Sequence, residues 1–383
     1  MKNYQPRIGI LYPVDYLDIV PCVRNTIVML AKSGFLVEVF SLEGEWVHRA
    51  ELGGSGIIIH TLSRKDQRGW PLARVPNLPV FTAWAIRESR GRDFSCFIGV
   101  DPPGLVAAAL LGTVYHKPWV YFSLELIITS DPVRMYKRYK PLETWCSQRS
   151  SLIIIQDEAR ARLMAEDNHI PMDRFVFLPN SPLGPAHRQK TDFLHKRFGF
   201  GSGDKILLHA GSIGDEFLSR ELALASREFP DNWKLVFQCR RIPSSPESYF
   251  GDLLRKGRLA ISSQVIPYSF LRELISSADI GIALYNLPKS PNVVYMGKSS
   301  GKLCHYLHCG LPVIASRMPG WEEALRHYHS GISVDSPSEI KAGAEQIFAD
   351  YDYFSQGALA HFEEELRFEP AFAKVASRLA NLV

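Results

Sequence analysis

The residues with the clearest chemical potential lie in one stretch, 299–316, with the sequence SSGKLCHYLHCGLPVIAS. Ser299 and Ser300 suit a helix N-cap, and Gly301 lets the backbone come close to whatever sits at the helix entrance. A helix N-terminus presents unpaired N–H groups and a partial positive charge, so it attracts anions, phosphate above all. Lys302 adds a full positive charge in the first turn, where the dipole alone would favour an acid. A cation there fits a ligand phosphate, and an exposed helix-start lysine is the plainer alternative. Gly310 is a natural helix stop, and 311–315 reads as a buried strand.

Two further places could contact an anion. The run 211–214 (GSIG) directly follows the strand-like KILLHA, a glycine-rich strand-to-helix turn of the kind that cradles phosphate or simply turns. Arg240 and Arg241 follow the strand-like KLVFQ, where a guanidinium could grip a diphosphate bidentately. Carboxylates occupy comparable places earlier in the chain. Asp15, Asp101, Glu125 and Asp157 each come shortly after an apolar run, as does Ser123. Glu125 could act as a general base on a hydroxyl or anchor it, or be a salt-bridged edge residue. Asp101, in VDPPG, could form a turn; Asp157 reads as a helix N-cap.

The elements that must position these residues alternate in type. Apolar runs at 7–12, 35–40, 57–62, 94–100, 119–123 and 152–156 read as strands separated by helical patterns. Such alternation implies a parallel sheet covered on both faces, with ligands at the carboxyl ends of the strands. The linker 178–185 (LPNSPLGP) is the clearest punctuation. After it the pattern restarts, with strands at 205–210, 234–238, 279–284, 311–315 and 331–334 and closing helices at 337–350 and 370–382. The expected fold class is α/β, two tandem Rossmann-like domains facing each other across a cleft. The expected domains are 1–185, 186–365 and a C-terminal helix, 366–383, packing back on the first domain.

Bulk properties narrow the function. The 383 residues are 46% hydrophobic and 22% charged, ordinary for a globular protein with large cores. Residues 1–190 carry 23 Lys+Arg against 18 Asp+Glu, and residues 191–383 carry 21 against 22. That excess suits an anionic substrate or a membrane surface and is far from a nucleic-acid signature. No signal peptide or membrane span is apparent, and six scattered cysteines fit reduced, buried thiols in a cytoplasmic protein. The segment 134–140, with Arg134, Lys137, Arg138 and Lys140 around aromatics, could touch the inner face of a membrane or be a solvated helix face.

The second half resembles the nucleotide-sugar-dependent glycosyltransferases of the GT-B fold, in particular the family 4 group. The similarity lies in GSIG, in SSADIGIAL at 276–284, and above all in the 299–316 stretch with its Lys302, Leu303, Tyr306, Leu307, Gly310, Pro312, Val313 and Ile314. VDPPG, YFSLEL and IQDEARARL are similar in layout to the family's first domain. The resemblance implies transfer of a sugar from a nucleotide-diphosphate sugar to a hydroxyl of a glycan or lipid-linked acceptor, in surface polysaccharide or glycolipid synthesis. It implies a diphosphate resting on Gly211, Ser212, Ser299, Ser300 and Gly301, with Lys302 and Arg240 neutralising charge, so that neither a cofactor nor a metal is required beyond the co-substrate. Asp15 and Asp101 would bind the acceptor, with Glu125 among the catalytic groups.

Two departures from the family pattern stand out. Its Glu-x7-Glu pair is absent: Gly297 stands at the first position and His305 at the second, the ribose-binding one. The first domain's Gly-Gly loop is replaced by PVDYLD. The family implies retention of configuration, whereas Glu125 as a base would suit inversion. The alternatives are a glycosyltransferase-like binding subunit without turnover and a GT-B-fold nucleotide-sugar epimerase.

Overall fold

The structure is a computed structural model that describes residues 5–44, 52, 54–63, 77–131, 139–239, 245–256, 258–287 and 290–383. The chain divides into two compact units, 1–180 with 368–383, and 181–367.

The first unit is built on seven parallel strands: β1 (Arg7–Leu11), β2 (Leu36–Leu42), β3 (Ile57–Leu62), β4 (Cys96–Val100), β5 (Trp119–Phe122), β6 (Leu152–Ile155) and β7 (Phe175–Phe177). Their spatial order is β3-β2-β1-β4-β5-β6-β7. Residues such as Ile8, Ile98, Val120 and Ile153 are fully buried, as expected of strands covered on both faces. The helices Pro21–Lys32, Leu78–Ser89, Asp101–Tyr115, Lys140–Arg149 and Glu158–Asn168 cross between them. The last helix of the chain, Phe368–Ala380, belongs to this unit, where it meets β7 and the helix Pro21–Lys32.

The second unit has six parallel strands: β8 (Lys205–Ala210), β9 (Trp233–Gln238), β10 (Leu259–Ser262), β11 (Ile280–Ala283), β12 (Val313–Ser316) and β13 (Gly331–Val334). Their order is β10-β9-β8-β11-β12-β13. In both sheets the strand order reverses beside the first strand, between β1 and β4 and between β8 and β11. That reversal opens a crevice at the carboxyl ends, where α/β folds bind ligands.

Local expectations from the sequence are met at several points. Asp157 caps its helix by accepting the Arg160 N–H at 2.9 Å. Asp279 is structural, accepting from the Ile206 N–H at 2.7 Å and pairing with Lys190 at 2.6 Å. All six cysteines are buried, and none is in a disulfide.

Other points differ. Strands β7 and β10 add to the expected ones: β7 has only three residues, and β10 is LAIS with its two central residues half-buried, so neither presents a long apolar run. A helix Tyr351–His361 and a π turn Phe362–Leu366 fill the gap between the two expected closing helices. Gly357 masks that helix in the sequence, yet it is needed there: a Cβ would lie 2.1 Å from the Tyr328 carbonyl oxygen. Lys140 does not join an exposed basic face. It is 7% exposed, and its Nζ donates to the Ile127 carbonyl at 2.7 Å and to Asn168 at 2.6 Å while pairing with Glu143 and Asp167. A buried ammonium needs such partners, which withdraws it from any surface role. Residues 134–138 lie outside the described residues.

Candidate active site

Of the residues that the sequence offers to an anion, Gly211 and Lys302 come together in the second unit, around the carboxyl ends of β8 and β11. The helix Gly301–His308 begins there. Ser300 caps it, its Oγ accepting the Leu303 N–H at 3.4 Å and bonding the Tyr285 hydroxyl at 2.6 Å. The helix closes as expected at Gly310, whose φ is +65°. The Gly310 N–H donates to Leu307 at 2.9 Å and the Leu311 N–H to Tyr306 at 2.9 Å, the two bonds of a Schellman turn.

Lys302 runs from this helix to the loop after β8. Gly211, the first residue past β8, has φ +151°, and a Cβ placed on it would lie 3.2 Å from Lys302 Cε and 3.5 Å from Nζ. The amine sits 4.6 Å from the Phe217 ring centre and 4.9 Å from that of Tyr285. Aromatic faces favour a cation, but they satisfy none of its three N–H donors. Nζ is shielded from solvent and has no hydrogen-bond partner among the described residues. Burial accordingly lowers its pKa to about 7. In its ammonium form such a group presents N–H donors that an anion could accept. The Ile213 N–H also has no partner among the described residues.

His305 lies one turn beyond Lys302. Its Nδ1 is 2.7 Å from the Gly301 carbonyl, which can only accept, so Nδ1 carries the hydrogen. Burial lowers its pKa to about 4, partly opposed by that bond, so the ring is neutral and Nε2 is an acceptor. The ring therefore presents an acceptor without a negative charge. Ser212 contributes its backbone carbonyl to His209 at 2.9 Å, and the Ser299 hydroxyl donates to the Met296 carbonyl at 3.1 Å. Arg240 lies outside the described residues.

The carboxylates gather in the first unit, at the carboxyl ends of β4 and β5. Asp101 adopts φ +56°, and its Oδ1 accepts the N–H groups of Leu124 and Glu125, each at 2.9 Å. Arg160, fully buried, donates to the Leu124 carbonyl at 2.8 Å, and Gln156 donates to Ser123 at 2.6 Å. The loop bearing Glu125 is thus held from three sides. Burial, then Glu125, raises the Asp101 pKa to about 7 against those two N–H bonds. Tyr12 and Tyr16, in the loop bearing Asp15, meet edge to face at 6.4 Å, and both feel the charge of Asp101 and Glu125. In the sequence Arg160 within IQDEARARL and Tyr16 within PVDYLD go unmarked, and Tyr12 only ends an apolar run, because burial and contacts between distant loops leave no local signature. Among the described residues, no group of three or more His, Cys, Asp or Glu could hold a metal ion, and no helix is long and apolar enough to cross a membrane.

The sequence matches no protein-family profile. It matches no curated protein. Solved structures do match, over almost the whole chain. HepE of Anabaena, solved in complex with UDP and glucose, is 13% identical, with 99% of this chain and 100% of that one covered and a TM-score of 0.74. The sucrose-phosphate synthase of Thermosynechococcus elongatus is 13% identical over 99% of both chains, with a TM-score of 0.77. The α,α-trehalose-phosphate synthase (UDP-forming) of Burkholderia vietnamiensis is 12% identical over 99% of both, with a TM-score of 0.66. With its seven- and six-stranded parallel sheets, this chain has the fold of these proteins, the GT-B fold of two Rossmann-like units.

Proposed function

We propose that this protein is a glycosyltransferase that takes its sugar from a nucleotide-diphosphate sugar and passes it to a hydroxyl group. The observation that carries the reading is Lys302: a shielded amine without a hydrogen-bond partner, beside a glycine-rich loop and a helix start. A diphosphate meets all three needs at once, since it is anionic and multiply accepting. The catalytic need is the same. As the bond from the sugar C1 to the phosphate oxygen breaks, the nucleoside diphosphate leaves with the electron pair, and a fixed cation stabilises that charge. The acceptor hydroxyl oxygen bonds to C1 and gives its proton to a base, for which Glu125 is our candidate, with Asp15 and Asp101 in the acceptor region. His305 would accept a ribose hydroxyl through Nε2. We read the acceptor as a glycan or lipid-linked acceptor and the setting as cytoplasmic, at the inner face of a membrane.

UDP sugars are the donors to try first, because HepE was solved with UDP-glucose. The test is calorimetric titration with UDP, GDP and dTDP and their sugars, followed by assays of transfer and donor hydrolysis. Saturable binding that Lys302→Ala abolishes is expected, with turnover once a suitable acceptor is present. Binding by none of the nucleotides would overturn the donor site. Tight binding with neither hydrolysis nor transfer across an acceptor panel would instead favour a binding subunit.

A further inference from the structure

His209 is the fifth of six residues in β8 and is fully buried. Its Nε2 lies 2.9 Å from the Ser212 carbonyl oxygen. A carbonyl only accepts, so Nε2 carries the hydrogen and Nδ1 holds a lone pair, which is buried and without a hydrogen-bond partner among the described residues. Burial, then the neighbouring charge of Lys302, holds the imidazole neutral, well below the usual histidine range. The ring packs 5.3 Å from Phe237 and 6.3 Å from Phe217. Phenylalanine would fill this apolar place without leaving a nitrogen unpaired. What histidine adds is the single N–H directed at Ser212.

That bond fixes a peptide plane. No peptide in the described chain is cis, so the Ser212 carbonyl and the Ile213 N–H point in opposite directions. With the carbonyl turned to His209, the Ile213 N–H points away from it and has no partner of its own among the described residues. We propose that His209 is the positioning residue of the anion loop, holding Ser212 so that the Ile213 N–H meets the donor phosphate beside Lys302. This rests on the donor-site reading above. His209 touches no ligand itself, and it acts as a neutral donor throughout the physiological pH range.

The test compares His209→Phe and His209→Gln with the wild type by titration with UDP and by thermal melting. Phenylalanine is expected to lower UDP affinity about tenfold, the loss of one positioned hydrogen bond, with the melting temperature unchanged or raised. Glutamine, whose amide N–H can still reach Ser212, is expected to restore affinity. The affinity ratio of wild type to His209→Phe should be the same at pH 6 and pH 9. If His209→Phe fails to fold, His209→Asn, too short to reach Ser212, takes its place with the same expectation. A folded His209→Phe that binds UDP like the wild type overturns the proposal, as does an equal loss in the glutamine variant. Failure of the wild type to bind any nucleotide is a separate outcome: it removes the donor site and this role with it.

Discussion

The hydroxyl of Tyr306 accepts the Ala210 N–H at 2.7 Å and donates to the Leu208 carbonyl at 3.0 Å, tying the helix Gly301–His308 to the end of β8. The ring reaches there because Gly281, in the neighbouring strand β11, leaves room: a Cβ would lie 2.3 Å from it. Lys302 is one helical turn before Tyr306 and on the same face, so the phenol sets where the amine lies. Tyr306→Phe should therefore lose about 1–3 kcal/mol, because a buried N–H and carbonyl are left unpaired. Urea denaturation measures this, and UDP affinity should fall in the same variant. Unchanged stability would mean that the two strand groups find other partners.

Gly211→Ala should be a binding defect with a modest fold defect. A Cβ would press on Lys302 at 3.2 Å, and φ +151° strains any residue other than glycine, at roughly 1–3 kcal/mol. UDP affinity should drop at least as far as stability does. A variant with weakened stability but wild-type affinity would remove the loop from the site.

Lys302→Met should give a more stable protein that binds no nucleotide diphosphate. The amine is buried without a partner, and replacing such a group with an apolar one of similar length gains roughly 0.5–2 kcal/mol. The pH profile gives the sign. The folded pKa is about 7, against about 10.4 for an ordinary lysine. Between these values the unfolded chain binds a proton that the folded protein does not, so stability contributed by this group rises with pH across that window. The methionine variant should lack this rise. An identical pH slope in both proteins would show that the amine is not perturbed.

Donor affinity should run the other way with pH. A diphosphate needs the ammonium form, so its binding draws a proton onto Lys302 above about pH 7. UDP affinity should be flat below pH 7 and fall by up to about tenfold per unit above it. Calorimetry in buffers of different ionisation enthalpy reads the proton uptake directly at pH 8. Zero uptake would argue for a permanently charged lysine.

Asp101→Asn should relieve the first unit at neutral and alkaline pH. With a folded pKa of about 7 and an unfolded value of about 3.9, the folded protein binds the extra proton between them, so stability falls as pH rises through that range. Asparagine keeps an oxygen for the Leu124 and Glu125 N–H groups and removes the charge. Melting curves at pH 5 and pH 8 should converge in the variant. If they stay as far apart as in the wild type, Asp101 is not the group responsible.

The alternation of apolar runs with helical patterns determined two parallel α/β sheets, because strands buried on both faces must be apolar throughout, as LIII in β6 is. The residue types at 299–316 likewise determined a capped helix, a Schellman stop and a buried strand, since caps and left-handed glycines act within a few residues of the chain. Only the tertiary structure decided what surrounds them. Gly211 and Phe217, from the connection after β8, and Tyr285, from the loop after β11, enclose the Lys302 side chain, which is how a residue readable as exposed becomes a shielded amine. The same applies to Lys140, whose partners Ile127, Asp167 and Asn168 lie 13 to 28 residues away and turn a basic surface residue into a buried one. His209 reads in sequence as one more strand residue, and its bond to Ser212 exists only once the loop folds back. Local propensity fixes elements, whereas desolvation and charge depend on neighbours that the chain brings together from a distance.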